Sequence, residues 1–141
     1  MADLSQTASS VAISGSKAPT KRVQFGEAVT QGMPVYLSDS KYYKADANDT
    51  VAKAAVEGIV LTPAGIDGYG MIAVPSDVEG VSLVNLGATL TVGIQYAPSA
   101  TAGAVCPITD ISSGQFPTSI GFAISSSLLD FKVTACSVAK A

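Results

Sequence analysis

A weak internal repeat punctuated by glycine is the feature that most constrains how this chain can fold. One copy spans residues 26–36 and the other 87–97, and each carries glycine, an apolar residue, threonine, a second glycine and then tyrosine. A second element, glycine followed by apolar residues, recurs after each copy at 58–61 and 121–124. A glycine after Thr-x favours a turn into a strand, where a left-handed backbone is needed. The repeat predicts two β-units of about sixty residues around one core.

Short runs rich in β-branched and aromatic residues follow one another from residue 23 onward, separated by Gly, Asn, Asp, Ser and Pro. Runs at this close spacing are typical of an all-β barrel or sandwich. Asp67-Gly68 is predicted as a hairpin-type turn with glycine at positive φ, and at most one helical turn is expected within 49–56. The predicted strands are 23–25, 33–37, 42–44, 57–61, 71–74, 81–83, 89–92, 95–97, 120–124 and 131–138.

Residues 1–22 have a different composition, dominated by Ser, Ala and Thr, and only 11–13 looks strand-like. We predict an N-terminal arm over 1–22, either disordered or extended and ordered only on contact. Residues 23–141 are predicted as a single β domain, a size that can bury one core. The expected fold class is therefore all-β: a compact β-barrel or sandwich built from two pseudo-repeated β-units, with an extended N-terminal arm.

The chain is poor in charge. Charged residues make up 13% of it, against about 25% in an average globular domain. Because Lys, Glu and Asp are depleted in buried interfaces, we interpret the surface as partly covered by copies of the chain or by a partner; a monomer with a Ser/Thr coat is the alternative. The net charge of −3 argues against nucleic acid as a partner. No signal peptide or apolar membrane span is visible, so we expect synthesis in the cytosol and no membrane partner.

Catalytic chemistry has few residues to work with. The chain has no histidine, which excludes Ser-His-Asp and Cys-His activation of a nucleophile. Cys106 and Cys136 cannot form a four-ligand zinc site without histidine; free thiols are expected, and whether the two pair is left open. The glycine-rich run 65–70 lacks a phosphate-binding lysine, and 46–49 lacks the spacing of an EF-hand loop. We therefore expect no enzymatic activity, no cofactor and no metal site.

The basic residues concentrate in one place, at Lys17, Lys21 and Arg22. They are interpreted either as part of a solvated tail or as an arm that lies on an acidic partner surface. Three charges give little affinity for phosphate at physiological salt, so nucleic acid is the weakest of the possible partners.

The pattern of glycine turns and short strands resembles that of the small capsid decoration, or head-stabilising cement, proteins of tailed bacteriophages and prophages. The matching stretches are glycine turns and strands, which carry no catalytic chemistry and are shared in part with other virion proteins. They cover most of residues 23–138 but not the arm. They read AVTQGMPVYL at 28–37, KADA at 44–47, VEGIVLTPA at 56–64, GATLTVGIQY at 87–96 and IGFAI at 120–124.

The resemblance implies a structural virion protein that binds the outside of a phage capsid and stabilises the shell. Its partner would be the major capsid protein, and its location the virion surface after synthesis in the host cytoplasm. Such proteins often form trimers, so a homotrimer is favoured, although dimers and monomers also occur. Their N-terminal arms commonly reach across neighbouring capsid subunits, a role that would suit Lys17, Lys21 and Arg22. The alternative is another virion component, such as a head fibre, a tail part or a receptor-binding domain.

Overall fold

The computed structural model describes residues 3–14, 18–48, 51–78, 80–134 and 140, and within them two open antiparallel sheets stack as a β-sandwich. The five-stranded sheet has the order β2-β6-β5-β3-β4 and the six-stranded sheet the order β1-β7-β11-β10-β8-β9. The strands are β1 (Ala12–Ser14), β2 (Thr20–Gln24), β3 (Pro34–Ser38), β4 (Lys41–Lys44), β5 (Gly58–Val60), β6 (Tyr69–Ala73), β7 (Leu83–Asn85), β8 (Gln95–Pro98), β9 (Val105–Pro107), β10 (Ser119–Ala123) and β11 (Leu128–Thr134).

Helical structure is minor, as the sequence predicts. A single α-helical turn, α1 (Val51–Ala54), lies within the expected stretch, and 3-10 turns occupy Ala8–Ser10 and Ile108–Asp110. None of the helices in the described part of the chain has the length and hydropathy of a membrane-spanning segment. The all-β prediction is confirmed, and of its two architectures the sandwich is the one observed.

The main core lies between the sheets. Ile59 and Ala73 of the five-stranded sheet meet Leu129 and Phe131 of the six-stranded sheet in one buried cluster. Each of these side chains has almost no exposed surface, and burying one of the large ones contributes about 1.5–3 kcal/mol. The five-stranded sheet curls, and its opposite face encloses a second buried cluster. This cluster consists of Val23, Phe25, Val29, Val35, Tyr42, Val60 and Ile72.

Both sheets have the same strand order. When β2 to β6 are numbered 1 to 5 in chain order, their order across the sheet is 1-5-4-2-3. The strands β7 to β11 have the same order, and β1 is added beside β7. The register also matches. Val35 of β3 lies opposite Gly58 of β5, and Tyr96 of β8 lies opposite Gly121 of β10. The counterpart of Tyr96 is therefore Val35, and not Tyr36 as the repeated motif suggests.

The glycine turns that enter β3 and β8 are alike. The N–H of Gly32 donates to the carbonyl of Val60, and the N–H of Gly93 donates to the carbonyl of Ala123, both at 2.9 Å. Gly32 has φ +88° and Gly93 has φ +84°, a conformation that glycine adopts without steric cost. The second glycine of each repeated motif thus occupies the same turn in its own sheet.

Three local predictions differ from the structure. Residues 89–92 form a loop, because the positive-φ glycines Gly87 and Gly93 bracket them and break the ladder. The strand β9 was not expected. In the turn at Asp67-Gly68, Asp67 is the residue with positive φ (62°), and its N–H donates to the carbonyl of Phe25 at 2.8 Å, so the pair belongs to a longer loop between β5 and β6.

The described residues of the predicted arm lie on the sandwich of the same chain. Residues 20–22 form the first part of β2 and pair with β6, so the expected boundary at residue 22 falls inside a strand. The N–H of Leu4 donates to the carbonyl of Val105 at 2.8 Å. The Gln6 amide donates to the carbonyls of Gly32 and Leu86, each at 3.0 Å. The segment thus ties the turn that enters β3 to the loop that follows β7.

Candidate interaction surface

Two of the three predicted partner-binding residues lie together on β2, an edge strand. Lys21 and Arg22 are both exposed, and the next residue, Val23, is buried in the core of the five-stranded sheet. Lys17 lies outside the described residues. Side chains alternate along a strand. Lys21 therefore shares with Val23 the face that lies inside the curl of the sheet (the inner face), while Arg22 and Gln24 lie on the opposite face (the outer face).

Each cation is held against a tyrosine ring. The Lys21 ammonium donates to the Tyr42 hydroxyl at 3.3 Å and lies 5.8 Å from the centre of that ring. The Arg22 guanidinium lies 5.0 Å from the centre of the Tyr69 ring, and Tyr69 is 56% exposed. Contacts of this kind contribute roughly 0.5–1 kcal/mol at exposed sites, and they hold the charge in place without neutralising it.

A cleft opens between the two edges of the five-stranded sheet. The sheet curls until β2 and β4 meet at one end, where Phe25 bridges Tyr42 and the N–H of Gly26 donates to the Tyr42 carbonyl at 2.9 Å. Beyond that junction the strands diverge around a space of about 430 Å³. The cleft is lined by Lys21, Arg22, Val23, Gln24, Leu37, Ser40, Tyr42 and Tyr69.

Backbone groups of β2 face this cleft. The N–H of Phe25 donates to Gly68 and the N–H of Val74 donates to Pro19, so the odd-numbered residues of β2 bond to β6. In an antiparallel pair the residues between them point their N–H and C=O the other way. The backbone groups of Arg22 and the N–H of Gln24 therefore point toward the cleft, whereas the Gln24 carbonyl lies in the Phe25–Tyr42 bridge with β4.

The cleft is electropositive. No carboxylate is among its lining residues, and within the described ranges neither Lys21 nor Arg22 has an ion-pair partner. The Lys41 ammonium donates to the carboxylate of Asp67, on the loop before Tyr69, at 2.7 Å, and this hydrogen bond raises the pKa of Lys41. On the far side, Glu27 lies 3.9 Å from Lys44. These two carboxylates are thus engaged by other lysines, while Asp39, next to the lining residue Ser40, is exposed.

A second exposed surface lies on the outer face of the six-stranded sheet. Phe122 is 51% exposed and Ile124 is 48% exposed, and they border a groove of about 270 Å³ together with Lys132. The strand bends there because Gly121 has φ +133°, and a Cβ at this position would collide with the carbonyl oxygen of Asp130. This surface is mainly apolar, whereas the β2–β4 cleft is cationic.

The reactive groups predicted from the sequence have structural partners or are buried. Cys106 is fully buried in β9, and burial together with nearby Asp3 and Asp110 raises the pKa of its thiol to about 11. Its pairing with Cys136 falls outside the described residues. The Asp46 carboxylate accepts the N–H of Asn48 at 2.8 Å, as in an ordinary Asx turn. Among the residues that the structure describes, no cluster of acidic or sulfur ligands is arranged to hold a metal.

Sequence reasoning identified the cations but not their aromatic partners. Tyr42 and Tyr69 lie far from β2 in sequence, and only the curl of the sheet and the β2–β6 register bring them beside Lys21 and Arg22. That Phe122 and Ile124 share one face could be predicted from the sequence, since they lie two positions apart in a predicted strand and neighbouring residues of a strand face opposite sides.

Comparison with known proteins gives no match: no family model, no curated protein and no solved structure matches this chain.

Proposed function

We propose that the chain is a non-enzymatic structural virion protein that binds the outside of a phage capsid and stabilises the shell. The observation that carries the proposal is a charge-poor β-sandwich in which Lys21 and Arg22 lie side by side on one exposed sheet edge, without an ion pair among the described residues. A surface of this kind is suited to contact with another protein, because it loses little solvation of charge when it is covered. The resemblance of the sequence to capsid decoration proteins supports the same function.

Stabilisation of a shell would follow from mass action. A subunit that binds the intact shell and not the broken one shifts the equilibrium toward the intact form. Many copies act on one particle, so each contact can be modest. The major capsid protein is the proposed partner, and the virion surface the proposed location.

We further propose that the sandwich consists of two pseudo-repeated β-units, one per sheet, joined by the N-terminal segment. The shared strand order and the matching Val35–Gly58 and Tyr96–Gly121 pairs support this relationship. In this view the segment 1–22 acts as an arm that spans both units, and we propose that it also contacts the shell. Its loss would remove β1 and part of β2 as well as any shell contact.

A homo-oligomer, with a trimer favoured, is also proposed. Phe122 and Ile124 form the apolar surface that a second copy could cover on the outer face of the six-stranded sheet. Light scattering of the purified protein would measure its mass in solution. A trimer mass that Phe122→Ser reduces to that of the monomer supports the proposal, and a monomer at every concentration, on and off the shell, contradicts it.

The test of the main proposal is binding to empty heads. Heads assembled from the major capsid protein of the genome that encodes this chain would be mixed with the protein and sedimented. We expect saturable co-sedimentation and a higher temperature of head disruption in the bound particles. Absence of co-sedimentation at saturating concentration contradicts the proposal.

One observation favours the alternative of a receptor-binding virion part. The exposed Tyr69 ring, stacked with Arg22 beside the cleft, resembles the aromatic and cationic surfaces that recognise ligands outside the particle. Binding of the labelled protein to host cells, together with no binding to heads, is the result that would select this alternative.

A further inference from the structure

The matching sheets show a difference at one edge. Ile72 of β6 and Leu129 of β11 are counterparts, since they pair with Val60 and Ala123 respectively. On their other side Ile72 lies opposite Lys21 of β2, and Leu129 lies opposite Val84 of β7. Lys21 therefore occupies the position that a fully buried valine occupies in the six-stranded sheet.

The outer edge of β7 is covered and that of β2 is not. β1 adds to β7 as an antiparallel strand, with Ile13 opposite Val84. At the corresponding edge of β2, the described part of the chain supplies no strand over residues 20–24. The β2–β4 cleft lies at this edge, and the backbone groups of Arg22 and the N–H of Gln24 point into it. The six-stranded sheet thus carries, within the same chain, an example of the strand that this edge can accept.

The side chains of the cleft define the chemistry of that strand. Arg22 and Tyr69 lie together on the outer face. The Arg22 charge selects a negatively charged group, since no carboxylate is among the described residues that line the cleft. Val23 and Leu37 offer an apolar inner side, and Leu37 is 48% exposed. Charged residues on an edge strand also discourage unspecific pairing, so a cationic edge accepts acidic strands and rejects neutral or basic ones.

The geometry points to the β2–β4 cleft as a receptor for an extended acidic segment of another protein, which adds to β2 as an antiparallel strand. Its main-chain groups pair with the N–H and carbonyl of Arg22 and with the N–H of Gln24, which gives affinity, and alternate side chains give specificity. Its carboxylates face Arg22, and its apolar side chains pack on Val23 and Leu37. This inference deepens the proposed function and rests on it only for the identity of the partner as a capsid subunit.

The experiment uses the full chain and a peptide probe, with no capsid present. The probe is a capped peptide that alternates glutamate with valine and threonine. One control replaces its glutamates by lysine, and the other replaces its central glutamate, whose N–H would bond to β2, by proline and adds one glutamate at the end to keep the charge. Nuclear magnetic resonance would follow the amide signals during titration. We expect shifts and slower amide exchange at Arg22 and Gln24 with the acidic peptide, and no binding of either control.

Variants of the protein locate the contact. Arg22→Glu is expected to weaken binding about tenfold or more, because it places like charges together, and Lys21→Glu by a smaller factor. Lys140→Glu, a matched charge reversal at an exposed residue beside Ile111 and outside the cleft lining, should leave binding unchanged. Since Lys21 and Arg22 are exposed, their variants should keep the native spectrum, which the same measurement checks.

Four results would overturn the inference: no binding of the acidic peptide, equal binding of the proline peptide, an unchanged affinity in Arg22→Glu, or self-association through these amides without peptide. The last result would identify a second copy as the occupant. Failure of head binding alone would remove the proposed function and leave the peptide result standing, so the two failures are distinguishable.

Discussion

The five-stranded and six-stranded sheets have the same strand order and register, yet they treat equivalent positions differently. Gly58 and Gly121 occupy corresponding places, but φ is positive only at Gly121, where β10 carries a register shift next to β11. The N-terminal segment covers β7 with β1 and donates a hydrogen bond to β9 from Leu4, while the β2 edge stays open. The comparison teaches that two sheets with one strand order can differ in local backbone geometry and in the chemistry of their edges.

The largest expected difference in stability is between alanine substitutions at the corresponding glycines of β5 and β10. Gly121→Ala should lower the free energy of unfolding by about 3 kcal/mol or more, because alanine is strained at φ +133° and its Cβ meets a backbone carbonyl. Gly58→Ala should cost less, about 2 kcal/mol, because φ is not positive there and the added Cβ would lie 2.6 Å from the flexible end of the Ile72 side chain and 2.9 Å from the Ala73 carbonyl oxygen. Urea denaturation measures both, and equal losses would break the comparison.

The turn glycines should differ less. At Gly93 an added Cβ meets nothing within 4 Å, so Gly93→Ala should cost about 1 kcal/mol from backbone strain alone. At Gly32 the Cβ would lie 2.7 Å from the Gln6 amide nitrogen and 3.0 Å from Val11, so Gly32→Ala should cost about 2 kcal/mol. A larger loss at Gly93 than at Gly32 in urea unfolding would contradict the assigned contacts.

The link between the two sheets is tested at Gln6. Gln6→Ala removes donors to the Gly32 and Leu86 carbonyls and should lower the free energy of unfolding by about 1–2 kcal/mol. It should also reduce the penalty of Gly32→Ala in a double-mutant cycle, because the clashing amide is gone. Additive effects of the two substitutions would show that Gln6 does not hold the Gly32 turn.

At neutral pH the smallest effect is expected from the Cys106 thiol in β9. Since burial raises its pKa from 9.0 to about 11, the folded state favours the protonated thiol. The resulting stability is fully present below pH 9 and is lost as pH rises through 11. Unfolding monitored from pH 8 to pH 11 should therefore show a decline that Cys106→Ala reduces, and an identical decline in the variant would contradict the assignment.

Much of the fold could be predicted from sequence, because glycine turns and β-branched runs mark strands locally. Nine of the predicted strand segments overlap observed strands. The polar start of β2 was missed because Thr20, Lys21 and Arg22 carry no strand-like pattern and pair through β6. The short β9, with Val105 and Cys106, lacks alternation. The cleft could not be predicted, since it depends on the curl that brings β4 back to β2.

The central claim, attachment to a capsid exterior, is tested most directly by electron cryo-microscopy of heads incubated with the protein. The account predicts added density on the outer surface at symmetry-related positions, into which the sandwich fits with the β2–β4 edge against a strand of the capsid subunit. Undecorated heads at saturating protein, or density attached away from the shell, would contradict it.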